Sequence, residues 1–113
     1  MFHYLDVKSE KAEHGAKDVY VRWLITKDLG AENFAMRLFE VDVGGFTPLH
    51  EHPWEHEVFV LEGEGEVRGG EKVKRLMPGD VVFVPPNEKH QFRNVGGRKF
   101  KFICVIPYRE SQS

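Results

Sequence analysis

Short runs of alternating apolar and polar residues, separated by Gly, Pro and Asn, fill most of the chain. Alternation at period two marks a strand whose successive side chains point to opposite faces. VYVRWLI, Val19 to Ile25, is β-branched and aromatic and predicts a strand. KDLGAEN, Lys27 to Asn33, predicts a loop around Gly30. FAMRLFEVDV, Phe34 to Val43, predicts the next strand, with Phe34, Met36 and Leu38 on one face and Ala35, Arg37, Phe39 and Val41 on the other. Bulk on both faces is expected of a sheet covered on both sides, in a sandwich or at a subunit interface.

Gly44-Gly45 predicts a turn, and HEVFVLE from His56 a strand with His56, Val58 and Val60 inward. A hairpin is expected around Gly69-Gly70, and a turn at Met77-Pro78-Gly79-Asp80. Val81 to Val84 predicts a short buried strand, and Pro85-Pro86-Asn87 another turn. His90 to Asn94 predicts a strand with His90 and Phe92 on one face. After a turn at Asn94 to Gly97, Lys99 to Pro107 is the last strand. HYLDV near the start suggests a short edge strand, and the tail after Tyr108 is expected to fray. About nine short strands with turn chemistry between them, and no helical period, predict an all-β sandwich or barrel.

Composition narrows this picture. At 113 residues the chain predicts one domain, residues 1–113, with a single modest core. Hydrophobic content of 41% and nine Phe argue for a packed chain rather than a disordered one. A net charge of −2 gives no basic excess for nucleic-acid binding, so no nucleic-acid partner is expected. No run reaches membrane-spanning length and the opening residues lack an apolar signal region, so a cytoplasmic protein without a membrane partner is expected. The single cysteine, Cys104, leaves no intrachain disulfide and suits a reducing compartment. Charged residues at 30%, rich in Glu and Lys, lean towards a thermophile.

The candidate chemistry lies in two segments. Gly44 to Gly63 carries His50, His52 and His56, and Gly79 to Asn94 carries His90. If His50 and His52 lie in a strand, they share a face about 6–7 Å apart along the backbone, which suits two imidazoles on one ion. Pro53 cannot donate a ladder hydrogen bond and should end that strand. His3 and His14 have no partner at ligand spacing and are expected at the surface. From pattern alone Arg37 is a surface arginine, the alternative being an arginine that meets an anionic ligand in a pocket. Glu51, Glu55 and Glu57 are expected as exposed strand carboxylates, with support of the histidines as the alternative. Trp54 is expected to pack, and Cys104 to be a small buried hydrophobe with no basic neighbour to lower its pKa.

These segments resemble the paired motifs of the cupin superfamily. Gly44, His50, His52 and Gly63 match the first motif, about residues 44–63, with His56 where the common pattern has Glu. Gly79, Pro85, His90 and Asn94 match the second, about residues 79–94. There Asn87 replaces a Gly, which its tolerance of the left-handed conformation allows. The phrases ENFAMRLFEV, HPWEHEVFVLEG, PNEKHQFRN and FICVIP are similar to small single-domain cupins with a four-histidine site, of the Thermotoga type.

The resemblance implies a jelly-roll β-barrel and a homodimer. It implies a divalent metal on His50, His52, His56 and His90, manganese first, with Fe, Cu, Ni, Co or Zn as alternatives. It implies a pocket lined by Arg37, Phe39, Phe92, Cys104 and Ile106. Four neutral imidazoles leave the ion its full double charge, which favours anionic ligands and acidifies bound water. The implied function is a metal-dependent oxidoreductase, oxidase- or dioxygenase-like, on a small organic molecule. The alternatives are a non-catalytic small-molecule or metal-sensing cupin and a purely structural metal site.

Overall fold

The computed structural model describes residues 1–108. Among them, nine strands run in chain order: β1 (Glu10–Lys11), β2 (Lys17–Ile25), β3 (Phe34–Phe46), β4 (His56–Glu62), β5 (Gly65–Gly69), β6 (Lys72–Leu76), β7 (Val81–Val84), β8 (His90–Asn94) and β9 (Phe100–Pro107). They form one antiparallel sheet in the order β6-β5-β8-β3-β9-β4-β7, with β2 also on β3 and β1 on β2. The sheet curls on itself so that the inward rows of both halves meet, which is the all-β barrel that the alternation predicts. The tail beyond Tyr108 lies outside the described residues.

β9 shows why the chain folds this way. Phe100, Phe102, Cys104 and Ile106 alternate with Lys101, Ile103, Val105 and Pro107, and the first set is buried. β9 lies between β3 and β4, so its inward residues join rows across three strands: Phe39–Phe102–Val60 and Arg37–Cys104–Val58. Phe100 lies deepest. Its ring presses on Gly65 so closely that a Cβ there would collide with it. Glycine at that place in β5 is a packing requirement, not a hinge. This end of the barrel is closed by Val41, Val60, Phe100 and Leu76. The opposite end carries the histidines.

Several local expectations differ from the structure, each for a physical reason. HYLDV is not a strand: Tyr4–Asp6 is a 3₁₀ turn, because His3 Nδ1 accepts from Leu5 N (3.1 Å) and the Asp6 carboxylate accepts from His3 N (3.0 Å). Gly44-Gly45 does not end β3, which continues to Phe46. Instead the pair forms a bulge, since Lys17 faces Phe46 while Val19 faces Val41. Gly44 has φ 80°, and a Cβ on Gly45 would stand 2.6 Å from the Lys17 carbonyl oxygen. The β5–β6 hairpin turns on Gly70-Glu71, one residue later than expected, because Gly69 pairs with Lys72. β7 is not buried: Val81 and Phe83 face out, and of its four residues Val84 alone is in the core.

Candidate metal centre

The H-x-H pair sits on a loop, not a strand. Between Phe46 and His56 the chain forms one bridge, His50 to His90, and is otherwise irregular. What holds it is the edge of β8. Thr47 N donates to the Phe92 carbonyl (2.8 Å), Thr47 Oγ1 accepts from Phe92 N (2.9 Å), and Gln91 Nε2 donates to the Thr47 carbonyl (2.9 Å). His50 and His90 exchange backbone hydrogen bonds at 3.1 and 2.9 Å. Asn87, at φ 65°, donates its N–H to the His52 carbonyl at 2.6 Å. Six backbone and side-chain bonds thus fix a segment that Pro48 and Pro53 keep out of any ladder.

The result is a tight ring cluster. His50, His52 and His90 each present a nitrogen, and these nitrogens all lie within 4.8 Å of one another. The His50 and His52 ring centroids are 4.3 Å apart, closer than strand spacing gives, because the loop folds the two rings towards each other. His56 opens β4 with inward parity and stands beside the trio, its centroid 4.8 Å from His90 and 5.3 Å from His52. The four histidines therefore converge from one loop and two strands.

Each ring is oriented by a neighbour. His90 Nδ1 lies 3.0 Å from the Glu88 carbonyl, so Nδ1 carries the proton and Nε2 faces the cluster with a lone pair. His52 stacks on Trp54 at 4.4 Å and 6°. His56 Nδ1 lies 3.4 Å from Cys104 Sγ, while His56 Nε2 is buried with no partner in the protein. A buried nitrogen left without a partner is costly. With the trio's convergent nitrogens, this donor set fits a divalent transition ion.

Electrostatics keep the rings neutral. Burial, then the charges His52, His90 and Arg37 would present, lowers the pKa of His50 to about 4. Burial, then His90, Arg37, His52 and His50, lowers His56 to about 3. His52 falls by burial and then by His90 and Arg37. His90 falls by burial, against the upward pull of Glu88. Neutral imidazole is the form that ligates a metal.

The cluster opens into a cavity of about 240 Å³ walled by Trp23, Phe39, Phe92, Phe102, Arg37 and Cys104 among others. Arg37 is not a surface arginine. It is half-buried on this wall, because β3 turns its inward row towards the histidine end. Its Nη2 donates to Cys104 Sγ at 3.1 Å. Cys104 is buried as expected but does have a basic neighbour; burial still raises its pKa, against the pull of Arg37. Ile106 is not on this wall. It is buried one inward step beyond Cys104, near Ala35 and Tyr108, where the sheet has passed the cavity. Glu51 and Glu57 are exposed and Glu55 half-buried, and among the described residues none bonds a histidine. His3 and His14 are exposed. Trp23, Thr47 and Trp54 complete the site. Neither the wall position of Trp23 nor the fixing role of Thr47 was read from the sequence, since Trp23 reads as one residue of an apolar strand and a threonine between two strands reads as loop.

The family model for the cupin domain matches residues 37–106, and the chain belongs to that family. It is similar to the polyketide cyclase RemF of Streptomyces resistomycificus, at 38% identity and TM-score 0.88 over 95% of this chain and 78% of that one. It is 35% identical over 71 residues to the 1-methylthio-D-xylulose 5-phosphate methylsulfurylase of Rhodospirillum rubrum, covering 63% of this chain and 46% of the relative. The chain spans less than half the length of the curated relatives it matches. A predicted oxalate decarboxylase of Thermotoga maritima shares the fold, with TM-score 0.85 and 24% identity over 96% of this chain and 99% of that one. These are barrels of the cupin type, and the chain adopts the same jelly-roll barrel.

Proposed function

We propose that the chain is a divalent-metal-dependent enzyme acting on a small organic molecule in the histidine cavity, with oxidase- or dioxygenase-like chemistry. One observation carries this: three imidazole nitrogens converge within 4.8 Å at the mouth of an aromatic-walled cavity. His50, His52 and His90 would hold the ion, with His56 as fourth ligand through its unpartnered Nε2. A bound ion of this class supplies Lewis acidity and, for Mn or Fe, redox capacity. The chain's own residues do the rest. Glu88 fixes the His90 tautomer and Trp54 holds the His52 ring plane. Phe39, Phe92 and Phe102 keep the cavity apolar, so charges inside it are weakly screened.

A second reading is non-redox Lewis-acid catalysis. It is favoured by the names of the similar proteins, a cyclase and a methylsulfurylase. Metal analysis of untagged protein, followed by turnover assays of the Mn-, Fe- and Zn-loaded forms with oxygen-consumption readout, separates the two. Oxygen uptake confined to Mn or Fe supports the first reading. Equal activity with Zn and no oxygen uptake supports the second, and no metal retained by any form ends both.

A homodimer is part of the same proposal. The outward residues of β4 and β7 include Phe59 beside Val81, with Phe83 next along, all exposed on an apolar face. A self-complementary apolar face suits a second copy about a two-fold axis. Sedimentation of wild type and Phe83→Ser tests it: a dimer that Phe83→Ser weakens supports the assignment, and a wild-type monomer overturns it.

A further inference from the structure

Among the described residues, Arg37 is the one Lys or Arg on the wall of the histidine cavity. Among the described residues it forms no ion pair; every salt bridge involves other cations. Its single hydrogen-bond partner is the Cys104 sulfur, a weak acceptor, and its Nε is buried without a partner. Among the described residues Glu13 is the one carboxylate on the wall, and it is exposed and makes no ion pair with Arg37. The guanidinium carbon lies over two rings, 5.3 Å from the centroid of Trp23 and 4.8 Å from that of Phe39. Cation–π attraction to these rings offsets part of the desolvation. A charge placed on an apolar wall without a counter-charge is expensive, unless an anion arrives to meet it.

We propose that Arg37 is an anion anchor and that the cavity takes a small carboxylate with a flat apolar body. The carboxylate sits on the guanidinium fork, and the body lies among Trp23, Phe39 and Phe92. The inference deepens the metal-enzyme reading and rests on it for the claim that this ligand is a substrate. Three observations select the ligand class. A single fork, with no second Lys or Arg on the wall among the described residues, matches the two oxygens of a carboxylate rather than the three of a phosphate. The volume of about 240 Å³ lies below the roughly 300–1,000 Å³ of drug-sized sites, so the molecule is small. Four aromatic rings, Trp23, Phe39, Phe92 and Phe102, line the walls, which suits a flat body. The position also serves the chemistry: one sulfur atom, Cys104 Sγ, separates the guanidinium from the His56 ring, at 3.1 Å from Arg37 Nη2 and 3.4 Å from His56 Nδ1. A ligand gripped by Arg37 therefore lies against the histidine cluster.

Titration calorimetry with benzoate, benzamide and phenyl phosphate tests this on the full chain, metal-free and metal-loaded. Benzoate and benzamide have the same shape and differ in charge. The metal-free wild type is expected to prefer benzoate by roughly ten- to a hundredfold, the range of a charge-assisted hydrogen bond. Arg37→Gln should lose that preference and keep its benzamide affinity, and Arg37→Lys should keep part of it. The side-chain Nε–H resonance of Arg37 should shift on benzoate addition to wild type, which tests the contact even if the variants do not fold. Equal affinity for benzoate and benzamide in the metal-free wild type overturns the anchor, as does an Arg37→Gln protein that still prefers benzoate. Phenyl phosphate binding more tightly than benzoate overturns the carboxylate assignment. An Arg37-dependent preference in a protein that takes up no metal would leave the anchor standing and remove only the metal reading. Metal uptake with no preference would do the reverse.

Discussion

Arg22 and Arg37 stand on neighbouring strands of one sheet and face opposite sides of it. Arg22 faces out. Its Nε lies 3.5 Å from Glu40 Oε1, and its Nη1 donates to the carbonyls of Val7 (3.1 Å) and Tyr4 (3.4 Å). Lys101 lies 3.4 Å from the other oxygen of Glu40 and 3.6 Å from Glu62. The N-terminal 3₁₀ turn folds over this network, with the Tyr4 ring against both cations. Arg37 faces in, with two aromatic rings and a thiol for company. The first arginine ties the N-terminal segment to the barrel, and its charge is balanced by residues of the chain. The second has no ion pair among the described residues, which is the opening that the proposed carboxylate would fill. Charge balance separates a structural arginine from a functional one, where burial alone does not, since the Nε of each lacks a hydrogen bond.

The largest effect expected is on the unbalanced side. Replacing His50, His52 and His90 together with Ala should abolish stoichiometric uptake of Mn, Fe or Zn, measured by elemental analysis after gel filtration. The fold should survive, because His50 and His52 are on a loop held through backbone groups and Thr47. A triple variant that still binds one ion per chain would remove the site.

Next in size is the balanced side. Glu40→Gln leaves Arg22 and Lys101 against a neutral amide, both with side chains under a fifth exposed. Breaking a buried pair in this way costs roughly 3 kcal/mol, which urea denaturation should report as a lower midpoint. Loss of protection in residues 4–7 by hydrogen exchange should accompany it, since Arg22 holds the carbonyls of Tyr4 and Val7. An unchanged midpoint would mean that the network is screened by water and that the contrast with Arg37 is not one of balance.

Acidification sharpens the comparison from the histidine side. In the folded, metal-free chain burial holds His50 near 4 and His56 near 3, and lowers His52 and His90, whereas an unfolded histidine titrates near 6.5. Below about pH 6.5 the unfolded chain takes up protons that the folded chain refuses. Stability is therefore full above that pH and falls as the pH drops from 6.5 towards 3–4. Thermal midpoints between pH 7.5 and 4 should follow this slope, and the triple alanine variant should flatten most of it. Saturating metal should raise the midpoint at neutral pH and steepen the acid loss, because protons compete for the same nitrogens. A metal-free wild type with a flat profile would show the rings to be solvated.

Much of the barrel was legible from period-two alternation. β9 alternates buried and half-buried residues because Phe100, Phe102, Cys104 and Ile106 alternate in the sequence. β4 keeps the predicted parity of His56, Val58 and Val60. The misplaced pieces depend on partners that periodicity does not encode. β7 has four apolar residues and reads as buried, but it is the edge of the sheet and its outer side has no covering layer in the chain. The H-x-H pair reads as a strand, but Thr47 and Asn87 capture its backbone from β8 and the turn before it. At the site, the histidines stood out as a rare residue clustered in two segments. Arg37 did not stand out from pattern alone, because an arginine in a strand is more often exposed than buried. Its role emerges only when β9 places Cys104 opposite it and β2 places Trp23 on its other side.

The smallest expected effect is the most informative about that arginine. Arg37→Met keeps an unbranched stem against Trp23 and Phe39 and removes the charge. The chain loses two cation–π contacts, worth about 0.5–1 kcal/mol each, and a weak bond to sulfur. It also loses the desolvation cost of a half-buried guanidinium and the repulsion that any protonated histidine would feel from it. These terms oppose each other, so the metal-free variant should stay within about 1 kcal/mol of wild type, in contrast to Glu40→Gln. Because Arg37 depresses all four histidines, its removal should also shrink the acid-induced loss of stability below pH 6.5, by raising their affinity for protons in the folded state towards the unfolded value. A large loss of stability in Arg37→Met would mean that Arg37 is a second structural arginine, held by contacts stronger than rings and a thiol supply.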